Sequence, residues 1–114
     1  MPTYVISLEN NIIAIGSYSG TINIYKLNMF RNTMTGICLK TLYTNAGYIY
    51  YLNTLPDGKI ISLNETSIQI WDQYTGYCDK TLFGQTARCD GIVVNSTGQI
   101  ITLESETNTL FIWK

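Results

Sequence analysis

Apolar and polar residues alternate along most of the chain with a period of two. In Thr21–Lys26, Ile22 and Ile24 alternate with Asn23 and Tyr25, and Ser67–Asp72 repeats the arrangement with Ile68 and Ile70. Thr109–Lys114 does so again with Leu110 and Ile112. A period of two puts alternate side chains on one face of a strand, whereas a helix needs 3.6. β-Branched enrichment and punctuation by Gly and Asn point the same way, and no stretch has convincing helical periodicity. The pattern predicts strands over Thr3–Leu8, Asn11–Ser17, Gly20–Lys26 and Ile37–Tyr43, then Gly47–Thr54, Lys59–Asn64, Ser67–Gln73 and Tyr77–Phe83. The last group is Arg88–Asn95, Gln99–Ser105 and Asn108–Lys114. Pro56-Asp57-Gly58 predicts a turn: Pro presets φ, Asp bonds neighbouring backbone, and Gly accepts positive φ. Ser19-Gly20 and Thr97-Gly98 serve similarly.

The grouping comes from an internal repeat. TGICLKTL (Thr35–Leu42) returns 40 residues later as TGYCDKTL (Thr75–Leu82). DGKIISL (Asp57–Leu63) returns at the same spacing as TGQIITL (Thr97–Leu103), with a weaker earlier copy in Asn10–Gly16. A third series is Ile24-Tyr25-Lys26, Ile70-Trp71-Asp72 and Ile112-Trp113-Lys114. Three series in constant order describe tandem units of four short antiparallel strands, the makeup of one propeller blade.

Ile70-Trp71-Asp72, followed by Tyr74-Thr75-Gly76 and Lys80-Thr81-Leu82, resembles the end of a WD repeat and the outer strand after it. Pro56-Asp57-Gly58 looks like that family's turn between its first two strands. The resemblance covers nearly the whole chain. It implies an all-β fold of WD-repeat-like β-propeller blades: blade one at 3–43, blade two at 47–83, and blade three at 88–114 without its outer strand. Two departures accompany it. Tyr25-Lys26 and Trp113-Lys114 stand where the family has Trp-Asp. The family's Gly-His pair, whose His joins a buried network with Asp, Ser or Thr, and Trp, has no counterpart in a chain without histidine; Asn45-Ala46-Gly47 and Gly84-Gln85-Thr86 occupy those loops. Apolar packing between blades then has to hold the fold.

Composition narrows the function. The 114 residues are 46% hydrophobic and 13% charged, about half the roughly 25% charge usual for globular domains. Net charge is -1 and the basic residues are scattered, so neither a nucleic-acid nor an anionic-membrane footprint is present. No apolar run reaches 18 residues and the start resembles no signal peptide, so a cytoplasmic protein is expected. Without histidine the commonest general base and metal ligand is missing. Cys38 and Cys78 occupy equivalent outer-strand positions, Cys89 lies between Arg88 and Asp90, and their spacing is not that of a zinc site. Glu104 and Glu106 read as turn acids, Gly16–Gly20 precedes no helix that could cradle phosphate, and two sequons begin at Asn64 and Asn95. No catalytic residue, cofactor or metal is expected, and Trp71, Trp113 and Tyr25 read as blade-seam packing.

Binding residues belong where the repeat is broken. Asn28–Thr35, a loop about six residues longer than its counterpart, presents Met29, Phe30, Arg31 and Met34. These residues either anchor a partner or fold back over the blade edge. In WD-repeat propellers partners often meet the face of loops entering the first strand and of second-to-third-strand hairpins; by resemblance that face holds Tyr18, Tyr48, Thr66, Gln85, Arg88 and Glu106. The expected function is therefore a non-enzymatic scaffold displaying loops to a protein partner. The rival is a self-assembly unit, since propellers have about four to eight blades and three leave two apolar faces open to a dimer or trimer. A fragment or remnant of a longer propeller is the further alternative, and a hydrolase on such a scaffold the most distant.

Overall fold

The computed structural model describes residues 4–45, 47, 49–64, 67–83, 89–104 and 107–113, with 89–91 described by backbone alone. Among them are three antiparallel sheets and no helix. Strands β1 (Tyr4–Ser7), β2 (Ile12–Gly16), β3 (Thr21–Phe30) and β4 (Thr33–Tyr43) form the first sheet in chain order. The second is β5 (Tyr51–Thr54), β6 (Ile60–Leu63), β7 (Ser67–Trp71) and β8 (Cys78–Phe83). The third has three strands, β9 (Cys89–Val94), β10 (Ile100–Glu104) and β11 (Thr109–Trp113). The all-β expectation of four-stranded antiparallel sheets, the last without its outer strand, is what the chain adopts.

Turn chemistry sets the strand ends. Gly58 has φ 91° and its N–H donates to the Leu55 carbonyl at 2.9 Å, while the Lys59 N–H donates to Asp57 Oδ1 at 3.1 Å. Gly20, at φ 86°, tolerates no other residue: a Cβ there would stand 2.5 Å from the Gly47 carbonyl oxygen. Between β1 and β2 the positive φ falls on Asn10 and Asn11, one of the few side chains at ease in that region.

The sheets pack face to face through two apolar seams. Ala14, Ile22, Ile24 and Leu42 of the first sheet meet Leu52, Ile60 and Trp71 of the second, together with Ile49 just before β5. Ile61, Leu63 and Ile68 on the second sheet's other face meet Ile92 and Ile100 of the third. Fully burying one such side chain stabilises the fold by about 1.5–3 kcal/mol, so the seams supply the cohesion expected of them. Register repeats as well. Ile13 pairs with Tyr25, Ile60 with Trp71, and Ile100 with Trp113. Bulges recur where Tyr25 pairs with Cys38 and Trp71 with Cys78, leaving Leu39 and Asp79 as the extra residues. At both bulges the cysteine Sγ approaches the carbonyl two residues on, at 3.5 Å for Lys40 and 3.4 Å for Lys80.

Three sequence expectations need correction. Asn28–Thr35 is not a loop: β3 and β4 continue to Phe30 and Thr33, and Arg31-Asn32 alone make the turn. Both turn residues have positive φ, 49° and 66°, the two-residue geometry whose twist matches that of the strands. Tyr25 holds the repeat position of Trp71 but is not part of either seam, because among the described residues no sheet lies against its face of the first sheet. Strand β5 begins at Tyr51 rather than Gly47, and Ile49 ahead of it packs into the first seam.

Candidate interaction surface

The extended β3–β4 hairpin carries the most prominent apolar residues. Phe30 is 72% exposed, Met29 64% and Met34 54%, so they project outward instead of folding back over the sheet. The Arg31 guanidinium carbon sits 5.3 Å from the centre of the Phe30 ring. This contact stiffens the tip and offers a partner a cation beside an aromatic face. Register sorts the hairpin's side chains: Met29 pairs with Met34 on one face, while Phe30 and Ile37 lie on the other. Beside its base, Ile12, Ile24, Leu39, Lys40, Gln73 and Tyr74 line a shallow recess of about 320 Å³.

Tyr18 stands at the opposite end of β3, in the β2–β3 loop, and is 45% exposed. A ten-residue strand separates it from the tip, roughly 30 Å at 3.3 Å per residue. The structure therefore does not bring Tyr18 together with Met29, Phe30 and Arg31. Tyr48, Thr66, Gln85, Arg88 and Glu106 lie outside the described residues.

The loop end is held by a polar network that sequence reasoning missed. The buried Thr44 hydroxyl donates to the Gly20 carbonyl at 2.7 Å, tying the first sheet's exit to its β2–β3 loop. Asn64 Nδ2 donates to the Gly47 carbonyl at 3.4 Å, and Gln69 Nε2 to the Thr44 carbonyl at 3.3 Å. The Gly20 carbonyl also accepts the Thr44 N–H at 3.1 Å, and the Asn64 and Gln69 bonds carry the network from the second sheet to the segment that joins the two. Nothing in the alternation marks them, because a polar residue inside a seam breaks the rule that reads polar as outward. Asn64 is fully buried, which takes one sequon out of reach.

The tryptophan contacts persist without histidine. Trp71 Nε1 donates to Ser62 Oγ at 3.1 Å and Trp113 Nε1 to Thr102 Oγ1 at 2.9 Å, at the same repeat position. Ile15 holds that position in the first sheet, where Tyr25, in place of the tryptophan, has no indole N–H to place.

Charged groups shape the other end. Asp72 Oδ1 accepts the backbone N–H of Tyr74 at 2.8 Å and of Thr75 at 3.0 Å, which holds its carboxyl below the usual carboxylate range. Lys59 Nζ lies 2.9 Å from Asp79, and that hydrogen-bonded partner raises its pKa. Lys40 donates to the Tyr74 carbonyl, joining the first two sheets at the hairpin's base. Ser7, Glu9, Thr54, Asp57, Gln73 and their neighbours line a cleft of about 490 Å³ between these sheets. Across it Gln73 Nε2 donates to the Gly58 carbonyl at 2.6 Å, an arrangement suited to positioning the turn. Among the described residues no three His, Cys, Asp or Glu side chains gather to hold a metal, and no helix is long and apolar enough to cross a membrane.

Comparison with known proteins agrees with this geometry. No family model matches the chain. It is 26% identical over 90 residues to the WD repeat-containing protein pop1 of Schizosaccharomyces pombe, an alignment covering 77% of the chain and 11% of that protein. The WD40 β-propeller domain of Doa1 superposes with a TM-score of 0.60 at 18% identity, covering 99% of the chain and 50% of that structure. The chain thus spans about a tenth of the curated relative it matches and half of the matched propeller.

Proposed function

Since the chain is a run of WD-repeat β-propeller blades, we propose that it is a non-enzymatic scaffold that binds a protein partner, working in the cytoplasm. WD-repeat propellers in general support such a role. The observation that carries it here is the β3–β4 hairpin, which holds a 72% exposed Phe30 next to Met29, Arg31 and Met34. Large apolar side chains beside Arg are the residue types that dominate binding hot spots, and a strand-braced tip is ordered before a partner arrives. The occupant we assign is a protein with an apolar pocket for Phe30 and an acidic group near Arg31. Tyr18, in the β2–β3 loop, belongs to the second contact region, which Tyr48 and Arg88 join by resemblance to the family. A second copy of the chain is the other partner, through the open faces of the outer blades.

Quantitative affinity capture with Phe30→Ala/Met34→Ala tests the hairpin. Losing a hot spot of about 2 kcal/mol weakens binding roughly 30-fold, enough to remove a specific partner from the captured set. The residues are exposed, so circular dichroism should not change. If every captured protein survives both this change and substitution of Tyr18, Tyr48 and Arg88, the scaffold reading fails.

A further inference from the structure

The two open blade faces are copies of faces that are covered elsewhere in the same molecule. In blade three, Ile101 and Leu103 on β10, with Leu110 and Ile112 on β11, hold the repeat positions of Ile61, Leu63, Ile68 and Ile70. In blade two those residues face blade three, and Ile61, Leu63 and Ile68 are buried there. In blade three Leu110 is 65% exposed and Ile112 59%. At the other end, Val5, Ile13, Ile15 and Tyr25 hold the positions of Leu52, Ile60, Ser62 and Trp71, the face that blade two turns to blade one. Val5 is 60% exposed where Leu52 is 2%. Each open face is thus of the kind that the other covers at an internal seam.

We infer that a second copy of this chain closes on the first head to tail, the blade-three face of each copy packing on the blade-one face of the other. The occupant follows from repeat position: Ile101, Leu103, Leu110 and Ile112 need a face with a large aromatic ring and β-branched neighbours, and Tyr25, Ile13, Ile15 and Val5 supply it. Nothing charged stands at any of these eight positions, and a net charge of -1 offers little repulsion between copies. Heterologous contacts of this sort end in a ring when the rotation closes. The matched propeller domain is about twice the length of this chain, so two copies supply as much chain as that domain.

Light scattering behind size exclusion, run across a concentration series, reads the mass directly. One discrete species at twice 12.9 kDa is expected. Ile112→Lys blocks one face and Val5→Glu the other; both sites are more than half exposed, so each variant should keep the wild-type circular dichroism while running as a monomer. Mixing the two variants is the decisive measurement. A head-to-tail pair retains one intact junction in the mixture, between the blade-three face of V5E and the blade-one face of I112K, so dimer returns. Contact between like faces gives no such complementation. A folded wild-type monomer, a polydisperse series of masses, a dimer that survives either single change, or a mixture that stays monomeric each overturns the inference. The first two outcomes leave the faces to other blades of a longer polypeptide. The Phe30→Ala change alone keeps the hairpin capture experiment readable apart from the dimer, because Phe30 lies on the other face of the hairpin from Tyr25, Met29 and Met34.

Discussion

Ile68 and Leu110 hold the same position in the repeat, yet one is fully buried and the other 65% exposed. The same divergence runs through equivalent strands: every residue of β6 in the middle blade is buried, while its counterparts β2 and β10 bury only alternate residues from Ile13 to Gly16 and from Ile100 to Leu103. Local sequence is nearly constant across this difference, so what changes is the number of neighbouring blades. A blade in this architecture does not own its core. It contributes half of each seam, and burial is a property of pairs.

The contrast is broken most sharply by the same truncation at both positions. Ile68→Ala should cost about 2–5 kcal/mol, the range for emptying a packed aliphatic site, whereas Leu110→Ala in the isolated chain should cost under about 1 kcal/mol. Urea unfolding followed by tryptophan fluorescence reads both. Near-equal losses in a monomer would mean that blade three's outer face is covered after all.

A smaller effect separates polar from apolar cohesion. Ser62→Ala leaves the Trp71 indole N–H without its partner inside the seam and should cost about 1–3 kcal/mol. Thr102→Val does the same to the half-buried Trp113, where water can replace the hydroxyl, so a lower cost is expected there. Thermal melts of the two variants should preserve that order.

The smallest effect is that of pH on the β7–β8 turn. The folded-state pKa of Asp72 is depressed by the backbone N–H groups of Thr75 and Tyr74, so its contribution is full above the unfolded carboxylate pKa and is lost as pH falls through the folded one. Acid titration of the wild type against Asp72→Asn should show a slightly shallower acid limb for the variant. The group is exposed, so parallel melts would show that the turn stands without the charge.

Much of this was legible from residues. The alternation of Ile68 and Ile70, the turn at Pro56-Asp57-Gly58 and the returns of Asp57–Leu63 and Thr35–Leu42 are local signals, and local signals assemble each sheet. The hairpin was not legible. Thr35-Gly36 matches Thr75-Gly76 in sequence, but Gly76, at φ 80°, ends a turn while Gly36 lies inside β4. The tip turn uses Arg31, a residue that seldom adopts positive φ, in place of the Asn-Gly signal. The Thr44, Asn64 and Gln69 network was invisible for another reason: its partners come from two sheets, and single-chain periodicity carries no information about what a face meets. Residue type marks Tyr18 and the hairpin tip alike as candidates, and only register shows that they lie at opposite ends of one strand.

Within each sheet every strand bonds to its neighbour in the chain, with no crossover. Each pairing then closes a short loop, so little chain entropy is lost before the next contact forms. A nascent polypeptide emerging residue by residue can therefore zip up its first sheet before the third has been synthesised. What waits for the rest of the chain is only the burial of that sheet's inner face, which makes docking of one finished sheet on the next the slow and aggregation-exposed stage of maturation.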